Sequence, residues 1–126
     1  PTTHETVDAK ENCLYQEGRA VYKSAVMDML NSSKEVMERN NLKIEDVKWF
    51  VPHQANLRII EAVGSRLGLS EEQVLVNIQK VGNTSAASIP ICLDHNKGKL
   101  KKGDKIVLTA FGAGFTWGAS YLIWGM

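Results

Sequence analysis

The stretch WFVPHQANLRII, residues 49–60, constrains this chain most. KWFVP reads as a short strand, and Pro52 ends it because proline has no N–H to continue a sheet ladder. Leu57, Ile60, Val63 and Leu67 then recur at helical spacing, and Gly68 falls where a left-handed cap closes a helix. Between strand and helix stand His53, Gln54 and Asn56, where a plain loop favours Gly, Ser and Asp. A titratable ring and two amides therefore occupy a strand-to-helix junction.

The rest of the chain supplies the partners this unit needs. Residues 1–18 are polar and aperiodic and read as a lead-in loop. Over residues 19 to about 40, Val21, Ala25, Val26, Met29, Leu30, Val36 and Met37 mark an amphipathic helix with a broad buried stripe. NNLKIEDV is a polar break able to hold one helical turn. SEEQ, residues 70–73, matches a capping box and predicts a short helix, and VLVNI reads as a strand or extended segment. After GNTSAAS a further helix runs to about residue 96 with Gly98 as its cap, provided Pro90 sits in its first turn or kinks it. KKGD is a turn, and KIVLTAF and WGASYLIW are strands joined by GAGFT in an antiparallel hairpin. The sum is a three-layer α/β fold, with helices on a mixed, mainly parallel sheet that ends in a C-terminal hairpin.

Composition removes several classes of function. The 126 residues make one domain, and 44% hydrophobic with 23% charged residues is ordinary for a globular protein. Apolar runs are too short for a membrane span, and PTTHETVDAKEN is not patterned as a signal peptide. The first residue is Pro1 rather than Met, as expected of a piece or a processed product. A net charge of +1 gives no steering toward nucleic acid. Cys13 and Cys92 lack CxxC spacing and read as free thiols of a reducing cytosol, so a cytoplasmic location is expected.

Two polar groups then stand out, each where an extended segment meets a helix: His53, Gln54 and Asn56, and the run Gly82, Asn83, Thr84, Ser85. Strand ends and helix N-termini are where open α/β sheets bind ligands. The plainer readings are a capping or loop histidine at His53 and a turn or cap residue at Asn83. Neither group decides between site and scaffold alone.

Together, VPHQAN, GNTSAAS and FGAGFTWG occur in the order and spacing of the β-ketoacyl-[acyl carrier protein] synthase III family of thiolase-like condensing enzymes. The chain resembles its C-terminal half from about residue 17 onward, so residues 19–126 would be the C-terminal domain. The resemblance implies an acyltransferase that starts type II fatty acid synthesis. An acyl group from acyl-CoA (acetyl-CoA) is loaded on a cysteine, and malonyl-[acyl carrier protein] loses CO₂ and attacks it. His53 and Asn83 match the histidine and asparagine that donate hydrogen bonds to the malonyl thioester oxygen as negative charge develops there. The family's nucleophilic cysteine belongs to an N-terminal half, so this chain alone is expected to be inactive.

Further positions follow the resemblance. Asn56 matches an asparagine near the catalytic histidine, and it equally suits the N-cap of the second helix. Ala113 matches a backbone N–H of the oxyanion hole at a place where relatives carry glycine, which alanine can fill if its φ is not positive. Lys23, Arg58 and Arg66 match positions that contact the acidic carrier protein, although a solvated helix face is the plainer reading. KGKLKKGDK reads as solubilising surface. The implied partners are acyl carrier protein, acyl-CoA, the N-terminal half of the same enzyme and a second copy in a homodimer, with no nucleic acid and no membrane. No cofactor is implied, coenzyme A thioester being a substrate.

Other chemistries fit poorly. Cys13, His53 and Asn83 follow the chain order of a papain-like hydrolase, but AKENCLYQEG offers nothing to lower a thiol pKa. His4, His53 and His95 have no ligand spacing, so no metal site is expected. Three classes remain: this half-enzyme, a related thiolase-fold condensing enzyme with another starter or acceptor, and a non-catalytic carrier-binding module.

Overall fold

The computed structural model describes residues 2–12 and 16–126. The long helix is α2, Gly18–Arg39, and its stripe buries Ala25, Val26, Met29, Leu30 and Met37. Ser33 lies in that stripe and discharges its buried hydroxyl onto the Met29 carbonyl at 2.7 Å. Strand β1, Trp49–Pro52, leads into α3, Leu57–Leu67. Helix α3 is bounded as its residues dictate. Asn56 Oδ1 accepts the Arg58 N–H at 2.9 Å, and Gly68 takes the left-handed φ of 82°. Gly64 is required by packing, because a Cβ there would stand 2.9 Å from Val74 Cγ2.

Strands β2, Lys105–Gly112, and β3, Thr116–Ile123, complete a sheet of order β1-β2-β3. β1 runs parallel to β2, and β3 returns antiparallel, so the sheet is mixed and ends in the expected hairpin. Side chains alternate across it. Phe50 and Val107 pack with Val26, Met29, Ile59 and Val63 under α2 and α3. Val51 and Ile106 point the other way, to Leu75, Leu100 and the Cys92 of α5, Ser88–Asn96. The sheet is thus the middle of three layers. Pro90 sits in the first turn of α5, where its missing N–H leaves no helical bond unmade.

Several local expectations change. The lead-in contains a helix, α1, His4–Asp8, held by the Thr3 cap rather than by any buried residue, which is why periodicity does not reveal it. SEEQ makes only a 3₁₀ turn, Glu71–Gln73, with Gln73 Oε1 accepting the Ser70 N–H. VLVNI is the extended alternative of its two readings: it joins β1 through a single parallel bridge, Val74 with Phe50, and then bends into α4, Ile78–Val81. Gly98 is not the α5 cap. Lys97 holds that place in right-handed conformation; its N–H donates to the Asp94 carbonyl at 3.2 Å and the Lys99 N–H to the Asn96 carbonyl at 2.8 Å, so tight turns close the helix without a left-handed residue.

Candidate active site

The site forms where β1 runs out. The His53 N–H donates to the Thr109 carbonyl at 2.7 Å, so β2 pins the residue one step beyond the strand. Its Nδ1 lies 2.6 Å from Ser88 Oγ, on the first residue of α5. Ser88 is 1% exposed, and its oxygen also accepts the Gln54 N–H at 3.2 Å. The hydroxyl still has one proton to place, and among the described residues its one acceptor is His53 Nδ1. That count puts the imidazole proton on Nε2. Burial holds the ring below the usual 6.5, so it is neutral at pH 7.

Gln54 is the clamp of the junction. It is fully buried, and its Nε2 donates to the Pro52 carbonyl at 2.8 Å and the Leu75 carbonyl at 3.3 Å. Its Oε1 accepts from the N–H groups of Asn77 at 2.9 Å and Ile78 at 3.2 Å. All four amide capacities are used, which ties the loop carrying His53 to the segment that leads toward Asn83.

Asn83 follows Gly82, whose φ of 66° turns the chain out of α4. Its Oδ1 accepts the Ser85 N–H at 2.8 Å, which fixes the amide orientation. The amide NH₂ has no protein partner among the described residues. His53 and Asn83 line one cavity of about 770 Å³, with Ile89 and Leu108 on its apolar wall. Ala110 and Gly118 face each other across β2 and β3 and keep its floor low. Two N–H donors, each fixed from behind, therefore share a partly apolar cavity.

The other predicted residues divide. Ala113 lines the same cavity at the hairpin tip, and Gly114, not Ala113, carries the positive φ of 141°. Alanine is thus unstrained there. Asn56 is not brought to the cavity; it is exposed and caps α3. Arg58 and Arg66 of α3 both reach side chains of α2, on which Lys23 is exposed. The Arg58 guanidinium lies 5.6 Å from the Tyr22 ring centre, and Arg66 Nη1 lies 3.7 Å from Met27 Sδ, one turn beyond Lys23. Cys92 is buried, with its thiol pushed up to about 11 by desolvation, and Cys13 lies outside the described residues. Among the described residues no three His, Cys, Asp or Glu side chains group as metal ligands, and no helix is long and apolar enough to cross a membrane.

Sequence reasoning passed over Ser88 and Thr109. Ser88 is the final residue of GNTSAAS, but its role depends on a contact with a residue 35 positions away. Thr109 contributes a carbonyl, which no side-chain pattern can announce.

Comparison with known proteins places the chain in a family. Residues 37–124 match the family described as 3-oxoacyl-[acyl-carrier-protein] synthase III C terminal. A beta-ketoacyl-[acyl-carrier-protein] synthase III of Porphyromonas gingivalis is 61% identical over 98% of this chain and 37% of its own length. The crystal structure of the Pseudomonas aeruginosa 3-oxoacyl-(acyl carrier protein) synthase III superposes with TM-score 0.90 at 41% identity, covering 100% of this chain and 40% of that one. The Thermus thermophilus enzyme superposes with TM-score 0.87 at 50% identity, over 90% of this chain and 36% of that one. The chain thus spans well under half the length of these relatives.

Proposed function

The chain belongs to the 3-oxoacyl-[acyl-carrier-protein] synthase III family as a C-terminal part, and from that premise we propose that it supplies the decarboxylating half of a condensing active site. The substrates are malonyl-[acyl carrier protein] and an acyl-CoA such as acetyl-CoA. The malonyl C–C bond breaks, CO₂ departs, and the electron pair passes into the thioester as an enolate. His53 Nε2–H and the Asn83 NH₂ donate to the enolate oxygen. The enolate carbon then attacks the thioester of an acylated cysteine carried by the N-terminal half, and the thiolate leaves as the 3-oxoacyl product forms. A main-chain N–H near Ala113 meets the oxyanion of the acyl-cysteine.

The observation that carries this reading is the pair of donors facing one cavity, His53 with Nδ1 occupied by Ser88 and Asn83 with Oδ1 occupied by Ser85. A neutral imidazole suffices, because the task is to donate a hydrogen bond to developing charge. Residues 19–126 form the domain, the surface of Lys23, Arg58 and Arg66 receives the acidic carrier, and the full-length enzyme is a cytoplasmic homodimer.

Steady-state condensation by the full-length enzyme tests the assignment. His53→Ala or Asn83→Ala lowers kcat by about 10²–10³, with KM for malonyl-carrier nearly unchanged, because the donors act on charge that exists only near the transition state. Retained kcat in either variant refutes that donor's role.

A further inference from the structure

The geometry points to Ser88 as a positioning residue that sets the tautomer of His53 by donating its hydroxyl proton to Nδ1. This inference rests on the proposed reading of the site and adds to it how the donating nitrogen is chosen. A neutral imidazole carries one N–H, and the hydrogen bond made by the other ring nitrogen decides which nitrogen holds it. Were the proton on Nδ1, His53 would present a lone pair to the cavity, and an enolate oxygen would be repelled.

Three observations make Ser88 the selector. Its Oγ stands 2.6 Å from Nδ1, a short contact, on a residue only 1% exposed, so water does not compete for that bond. The same oxygen accepts the Gln54 N–H, which fixes the direction in which its proton must go. The Gln54 side chain is itself held at four points, so the N–H that orients the hydroxyl is rigid. Ser88 also opens α5, and the partial positive charge at that end disfavours an imidazolium beside it. Ser88 thus touches the ring and not the enolate.

The test uses the full-length enzyme with ¹⁵N-labelled histidine, together with separate assays of cysteine acylation and of CO₂ release from malonyl-carrier. The wild-type spectrum shows His53 with Nε2 protonated and Nδ1 bare. In Ser88→Ala the ring becomes a mixture of tautomers, and CO₂ release falls about 10- to 100-fold, the size of effect typical when an outer partner of a working histidine is removed. Acylation of the cysteine is unchanged, and Ser88→Thr, which keeps the hydroxyl, restores decarboxylation. An Nδ1-protonated His53 in the wild type overturns the inference even if Ser88→Ala fails to fold. So does a Ser88→Ala enzyme that keeps the Nε2–H form and normal CO₂ release, or one that loses both half-reactions equally. If instead His53→Ala releases CO₂ normally, the reading of the site fails while the spectrum still decides what Ser88 does.

Discussion

At the residue scale, each donor of the proposed site is held from its unused side. His53 is held through Nδ1 by Ser88, and Asn83 through Oδ1 by the Ser85 N–H. Because burial lowers the His53 pKa from its ordinary value, the neutral ring prevails as pH falls from about 8 to about 7. The contribution of His53 to CO₂ release is therefore flat over that interval, read as the ratio of wild type to His53→Ala at each pH. A ratio that climbs steadily on acidification would identify the imidazolium as donor. That His53 and Asn83 share one cavity was legible in the sequence, because both sit in recognisable runs at the ends of extended segments. Ser88 and the Gln54 clamp were not legible in their roles, since hydrogen bonds to residues 34, 35 and 23 positions away have no local signature.

At the element scale, strong periodicity was readable and weak segments were not. Helices α2 and α3 and the hairpin strands follow their apolar spacing, whereas α1, α4 and the bend after Val74 depend on caps and on Gln54. Gly64 is where α3 meets that bend. Gly64→Ala would press a methyl against Val74 Cγ2 and should lower stability by about 1–3 kcal/mol. Adding Val74→Ala removes the clashing methyl, so a urea-unfolding double-mutant cycle should show favourable coupling above about 0.5 kcal/mol. Strict additivity would place the strain elsewhere. The exposed ridge of α2 and α3 carries a second prediction. Arg58→Glu in the full-length enzyme slows association with malonyl-carrier and leaves loading from acyl-CoA nearly intact. In stopped-flow measurements the difference shrinks with added salt, because exposed charges are screened over about 8–10 Å. Equal loss in both half-reactions would assign Arg58 to folding or to CoA binding.

At the scale of the whole molecule, the β2–β3 hairpin lines one side of the cavity from Leu108 to Ser120, and it leaves Phe115, Trp117 and Ile123 exposed. The chain covers 37% of its Porphyromonas gingivalis relative, and the proposed reaction takes its acylated cysteine from the remaining length. On the proposed reading two chemistries are separated in space: charge from decarboxylation would meet the side-chain donors His53 and Asn83, and charge from acyl transfer would meet main-chain N–H groups near Ala113. The most direct test of that division compares the two half-reactions in the full-length enzyme, radiolabelled acylation of the cysteine and CO₂ release from malonyl-carrier. In His53→Ala and in Asn83→Ala the account predicts normal acylation with CO₂ release reduced about 10²–10³-fold, and normal CO₂ release in both variants would contradict it.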